Sequence, residues 1–395
     1  MNLLYIGTFM FYQKEGSTFG LPSCADPFFQ KYLDVFDEVR VIGTPVRDYL
    51  DNKALVKMTD PRISVRISKP NTAPADFKND REVKQVIREE IEKAEAILIK
   101  PASRRGIMAI KIAEKLHKPY MIEMTGDIHN ALKQHPSLLK RLYAPILYRQ
   151  IKNAIKNCKF GLYVSKDYLQ QQYPIEGVMC GCSDVIIEPR EHVILENRIK
   201  LIGTMKSRRI INIALIGFYQ GKMKGVDTAI RAMAQLPNRF HLNILGNGTE
   251  DIRDGWYRYA NSIGMHDYKE RINFPKPIPN NQKVLEWLDT QDFLILPTLS
   301  EGLCRCIVEA ISRGCVCFAT NICSMPELLP PKCLHPIRDD KALANMLLSA
   351  SNNLDEMRNM ARENFEHAKE YEIEKLRNRR IEFLKRFESY CKSTL

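Results

Sequence analysis

Residues 293–330 read FLILPTLSEGLCRCIVEAISRGCVCFATNICSMPELLP, and their pattern decides the fold. Phe293 to Leu296 are four consecutive apolar residues closed by Pro297, as in a short buried strand that ends at a breaker. A polar turn with Ser300, Glu301 and Gly302 follows. From Leu303 to Arg313 the apolar spacing is helical, and Gly314 supplies a C-terminal stop signal. Residues 315–320, CVCFAT, form a second continuous apolar run. Strand, helix, strand is a βαβ unit, so the two strands are expected to be parallel with a right-handed crossover. Glu301 then lies at a strand's carboxyl end, where open α/β sheets bind ligands. Arg305 precedes Glu309 by four residues, so the two can touch along one helix face. Alone, that pair reads as an ordinary surface ion pair. The helix N-terminus, near Gly302 and Leu303, turns free N–H groups toward the same crevice and favours a phosphate there.

The string SEGLCRCIVEAISRGCVCFATNICSMPELL resembles the signature of retaining, family-4-type glycosyltransferases (glycosyl transferases group 1), and within them the bacterial capsular and surface-polysaccharide branch. Glu301, Gly302, Leu303, Arg305, Glu309, Ala310, Gly314, Pro326, Glu327, Leu328 and Leu329 match. Cys304 stands where Pro or Gly is usual, and Cys323-Ser324 where two glycines are common. The resemblance implies an α/β fold of GT-B type, with two Rossmann-like domains whose parallel sheets face across a cleft.

Length and composition agree with that expectation. A chain of 395 residues exceeds one ordinary core and suits two domains. Apolar content of 45% and charged content of 27% describe a globular protein, and no apolar run approaches the ~20 residues of a membrane span. The opening MNLLYIGTFMFY lacks a basic leader and a small-residue cleavage site, so it reads as a first buried strand and the expected location is cytoplasmic. The eleven cysteines include no C-x-x-C, only C-x-C pairs at 180/182, 304/306 and 315/317, which argues for buried thiols over a zinc site. The net charge of +12 is spread evenly: 28 basic against 21 acidic residues up to 187, and 31 against 26 beyond. That distribution gives no single groove for nucleic acid, and none is expected as a partner.

Alternating strand-like and helix-like segments (LLYIG, EVRVIG, AILIK, PYMIEMTG, FGLYVS) make residues 1–187 a Rossmann-like domain, expected to hold the acceptor. After the first strand, Gly16, Ser17 and Thr18 lie in a stretch that is either a glycine-containing loop over the ligands, as the resemblance implies, or a plain connection. The segment EMTGDIHN resembles the family's E-x-x-G-D, which implies that Asp127 and His129 serve the transferred sugar. Residues 128–166 hold eight Lys or Arg and no Asp or Glu. Within them Arg149, Lys152, Lys156 and Lys159 recur beside apolar residues, in a helix that Pro145 is expected to kink or split. Alone these residues read as a solvated face over a core-packing helix, although such charges favour an anionic leaflet by about 1 kcal/mol each; the resemblance, to a family with members that dock by such patches, implies peripheral contact at the inner face of the cell membrane.

Residues 188–209 show no clean period and read as a linker. The second Rossmann-like domain spans 210–370, and 371–395 form a charged amphipathic helix that in relatives crosses back to the first domain. The stretch GFYQGKMKG after the strand INIALI resembles the family's diphosphate loop. Gly217, Lys224 and Gly225 match, Phe218 replaces an Arg, and Lys222 is placed to compensate. No D-x-D occurs, so no metal or other cofactor is expected and protein cations must meet the diphosphate. By resemblance, Glu301 contacts the transferred hexose, Glu309 the ribose, and Lys224 with Lys222 or Arg305 the diphosphate. The expected function is metal-independent, retaining transfer of a hexose-type sugar from a nucleotide sugar to a surface-polysaccharide or lipid-linked saccharide acceptor. A non-catalytic membrane-surface protein on the same scaffold is the alternative.

Overall fold

The computed structural model describes residues 1–46, 55–71, 74–278 and 280–394. The chain divides into two compact units, one of residues 1–129, 137–183 and 376–395, the other of 130–136 and 184–375.

The described residues of the first unit form nine strands: β1 (Asn2–Lys14), β2 (Ser17–Gly20), β3 (Glu38–Pro45), β4 (Val56–Lys57), β5 (Ile63–Ile67), β6 (Ala96–Ile99), β7 (Tyr120–Met124), β8 (Phe160–Tyr163) and β9 (Val178–Gly181). The parallel part runs β5-β3-β1-β6-β7-β8-β9. Leu3 to Ile6 and Ala96 to Ile99 are fully buried side by side, which is why both read as unbroken apolar runs. Of the two readings of Gly16, Ser17 and Thr18, the structure shows a connection between strands and not an open loop. β1 continues past a register break to Lys14 and folds back on β2. Both turn residues, Glu15 and Gly16, have positive φ (50° and 73°), as a two-residue hairpin turn matching strand twist requires.

The Leu138–Ile155 helix is not split at Pro145. Arg141 and Pro145 are both exposed, so water can serve the carbonyl that loses its donor. Helix geometry also ends earlier than the basic residues do. Lys156 follows the last turn and Lys159 lies in the bend before β8, leaving only Arg149 and Lys152 inside the helix. From the Ile373–Thr394 helix, residues 376 onward pack on this unit. Phe383 and Phe387 stand 5.8 and 5.5 Å from the Phe160 ring, and Arg380 donates to the Ser183 carbonyl at 2.7 Å.

The described residues of the second unit form six parallel strands in the order β12-β11-β10-β13-β14-β15. These are β10 (Ile211–Ile216), β11 (Phe240–Leu245), β12 (Ile272–Asn273), β13 (Phe293–Leu296), β14 (Val316–Thr320) and β15 (Leu334–His335). β13 and β14 pair in parallel, Phe293 opposite Val316, so residues 293–320 are the βαβ unit read from the sequence. Its helix spans Arg305–Ser312 and begins two residues later than expected, because Cys304 is extended (φ −85°, ψ 108°). The supposed linker contains a helix, His192–Gly203. Its period was hidden by Arg198, which is buried and donates to the carbonyls of Leu288, Gln291 and Arg313.

Candidate functional site

In the second unit, β11 and β12 lie to one side of β10, and β13 to β15 to the other. Ligands of such sheets sit where the order reverses, at the carboxyl ends of the two central strands. Two loops leave these ends, 217–225 after β10 and 297–304 after β13. They are stitched together: Leu299 N–H donates to the Met223 carbonyl at 2.8 Å, and the Thr298 hydroxyl lies 3.0 Å from the same oxygen. Gly225 has φ +69°, and a Cβ there would stand 1.8 Å from the Pro297 carbonyl oxygen, so only glycine lets the loops close. A Cβ on Gly217 would strike the stem of Lys224 at 2.9 Å. Its absence lets that lysine lie across the strand end.

Lys224 reaches Glu301. The ammonium donates to Glu301 Oε1 at 2.5 Å, and the Thr298 hydroxyl lies 3.0 Å from that oxygen. Burial alone would lower the Lys224 pKa, but the Glu301 carboxylate outweighs it and the ammonium is held charged above the ordinary lysine range. Glu309, one turn along the following helix, is pushed up to about 7 by burial, with Arg305 opposing from 4.0 Å. Arg305 itself is mostly exposed. Gly302 and Leu303 are half-buried between Glu301 and the helix.

The loop after β14 passes behind them, where Ser324 donates to the Gly302 carbonyl. Cys323 has φ +52°, so this segment keeps a glycine-type backbone although no glycine is there. The thiols of Cys304 and Cys306, both buried, are 3.3 Å apart beneath the helix start. Lys222 is exposed, and Phe218 is 65% exposed at the rim of a cavity of about 210 Å³ that Gly217, Gly246, Pro277, Ile278 and Val284 also line. Thus Lys224, Glu301, Gly217, Gly302, Leu303, Arg305 and Glu309 share one strand-end region. Lys222 lies on its outer loop.

In the first unit, Asp127 and His129 do follow the carboxyl end of β7. Asp127 is buried and accepts from the hydroxyls of Tyr168 (2.5 Å) and Tyr173 (2.7 Å). Burial, and after it Asp127, pushes the Tyr173 phenol up, so that hydroxyl stays a donor. The His129 ring stacks on Tyr148 with centroids 4.7 Å apart.

Sequence reading gave no role to Glu123, the first residue of the E-x-x-G-D match and a buried acid inside β7. It accepts from Tyr5 (2.7 Å) and Tyr32 (2.6 Å), and Lys31 and Lys100 stand 3.8 and 3.7 Å away. An acid inside the apolar run PYMIEM was the available signal, since a buried carboxylate needs partners. Those partners come from three other elements, which no spacing reveals. Among the described residues, no three His, Cys, Asp or Glu side chains gather as a metal site, and no helix is long and apolar enough to cross a membrane.

Residues 210–353 match the family described as glycosyl transferases group 1. Over 330 residues the chain is 27% identical to protein CapJ of Staphylococcus aureus, spanning 81% of this chain and 79% of that protein. Among solved structures it is similar to Anabaena HepE in complex with UDP (TM-score 0.66, 12% identity, 98% of this chain and 100% of that one). It is similar also to sucrose-phosphate synthase from Thermosynechococcus elongatus (TM-score 0.65, 13% identity, 98% and 99%). These likenesses show the fold, GT-B with two Rossmann-like domains.

Proposed function

We propose that the chain, whose residues 210–353 match the glycosyl transferases group 1 family, is a glycosyltransferase that moves a hexose-type sugar from a nucleoside-diphosphate donor to a hydroxyl of a surface-polysaccharide or lipid-linked saccharide. The observation that carries this reading is the Lys224–Glu301 pair at the strand-order reversal. A donor diphosphate competes for the ammonium of Lys224 and releases Glu301 to the sugar. Glu309, further along, accepts from the ribose hydroxyls. The acceptor hydroxyl attacks on the face from which the diphosphate leaves, its proton passing to the departing phosphate oxygen, and configuration is retained. Cations of the protein, with no metal, balance the leaving charge, in keeping with the lack of a D-x-D. From the first unit, His129 is the proposed contact to the reacting sugar, and Asp127 positions that segment. A UDP donor is favoured by the solved structures of HepE with UDP and with UDP-glucose. The protein is proposed to work in the cytoplasm, in peripheral contact with an anionic membrane.

A thermal-shift panel of UDP-, GDP- and ADP-sugars tests the reading, together with turnover of Glu301→Gln. The variant is expected to lose about 10²–10³-fold in turnover, the scale of one lost transition-state contact, while its nucleotide affinity stays within a few fold. Wild-type protein that binds no nucleotide sugar overturns the proposal.

A further inference from the structure

The parallel part of the first sheet also reverses its strand order. β1 has β3 and β5 on one side and β6 to β9 on the other, which puts a ligand crevice at the carboxyl ends of β1 and β6. There the register of β1 breaks between Ile6 and Met10, at Gly7, Thr8 and Phe9. Lys100, the residue after β6, is fixed beside the break, its N–H donating to the Ile6 carbonyl at 2.9 Å. The Asp26–Leu33 helix brings Phe28 and Lys31, three residues apart and so on one face. The rings of Phe9 and Phe28, both half-buried, meet edge to face with centroids 5.0 Å apart.

Two ammonium groups stand by these rings. Lys100 Nζ lies 4.8 Å from the Phe9 centroid and 5.4 Å from that of Phe28, and Lys31 Nζ lies 4.3 Å from Phe28. Glu123 faces both lysines, but from 3.7 and 3.8 Å, beyond hydrogen-bond range. Its oxygens already accept from the hydroxyls of Tyr5 and Tyr32. Two hydroxyls and Lys31 thus answer its charge without Lys100. The Lys100 ammonium makes no hydrogen bond among the described residues, although its side chain is only 18% exposed. An ammonium carries three donors, and withdrawing them from water unmet is costly. Ring faces attract the charge and leave those donors without an oxygen.

We propose that this crevice takes, as the acceptor of the transfer, a sugar bearing an anionic group, a carboxylate or a phosphate. The anionic oxygens accept from Lys100, with Lys31 beside them, and the C–H face of the sugar packs on Phe9 and Phe28. Such a division, an apolar platform with a few charged groups that fix orientation, is how small-molecule sites gain specificity. The inference rests on the transferase reading and narrows its acceptor. A neutral sugar covers the rings and leaves the ammonium unanswered. A free anion answers the ammonium and leaves the rings in water.

The test is calorimetric titration of the full chain, with saturating UDP present, by methyl glucoside, methyl glucuronide, glucose 6-phosphate and inorganic phosphate. The three sugars share a ring and differ chiefly at C6. At least one of the two anionic sugars is expected to bind about tenfold or more tighter than methyl glucoside, and the tighter of them identifies the source of the charge. Lys100→Met should erase that preference at an unchanged melting temperature, Lys100→Arg should retain it, and Phe28→Ala should weaken all three sugars alike. Equal binding of neutral and anionic sugars by the wild type, binding of no sugar, or a preference that survives Lys100→Met overturns the proposal. Inorganic phosphate that binds as tightly as glucose 6-phosphate overturns the sugar in favour of a free anion. A preliminary titration with UDP reports on the transferase reading separately, so UDP binding without a charge preference sinks this inference alone.

Discussion

Both units set charged groups at the carboxyl ends of parallel strands, and they hold them in opposite ways. In the first, Asp127 is buried with both oxygens engaged by tyrosine hydroxyls, and Glu123 is enclosed by two tyrosines and two lysines. In the second, Lys224 and Glu301 lean chiefly on each other, with their side chains 26% and 12% exposed. A group bound by several fixed neighbours cannot turn to a ligand without losing them all. A lone ion pair can be opened by a competing charge. On the proposed function, the same position in the fold then serves as a brace in one unit and as an exchangeable site in the other.

The largest effect that tests this contrast is on stability. Hydrogen bonds to a charged acceptor contribute about 1.5–3 kcal/mol each, so Asp127→Ala should cost roughly 3 kcal/mol or more in urea unfolding, with UDP affinity unchanged. A variant as stable as wild type but unable to bind donor would make Asp127 a ligand group and erase the distinction.

Next in size is Lys224→Ala. Losing one charge-assisted phosphate contact should weaken UDP binding about ten- to a hundredfold by calorimetry, with little change in stability, since Glu301 keeps Thr298. Lys222→Ala should follow in the same direction if it compensates for Phe218, and Phe218→Arg should then partly rescue it. An unaffected Lys222→Ala protein moves the second cation to Arg305, which is exposed beside Glu309.

The smallest effect is a pH profile. Burial raises Glu309 to about 7, so its neutral form contributes stability that is complete below the ordinary glutamate range and is lost as pH rises through about 7. Ribose hydroxyls donate best to the ionised form. UDP affinity should therefore rise severalfold from about pH 6 to about pH 8, and Glu309→Gln should flatten that rise. The same variant should gain stability relative to wild type above about pH 7. An identical profile in both proteins would remove Glu309 from the donor site.

Strands were legible where burial on both faces makes them unbroken apolar runs, as at Leu3–Ile6 and Phe293–Leu296. Loop geometry was legible where only one residue type fits, as at Gly225 against Pro297. The reading failed where a charged side chain is buried. Arg198 disguised a helix as a linker because its backbone partners, Leu288, Gln291 and Arg313, lie some ninety or more residues away in the chain.

What the sequence determined by itself was the alternation of strands and helices in two Rossmann-like halves and the loops that carry Lys224 and Glu301, because periodicity and backbone constraints are local. What only the tertiary structure decided was pairing: that Lys224 meets Glu301, that two tyrosines take up Asp127, and that Lys100 lies over the Phe28 ring. Such pairings join residues as far as 77 positions apart, as Lys224 and Glu301 are. Coulomb and hydrogen-bond energies depend on distance in space, which the chain acquires only when its sheets close.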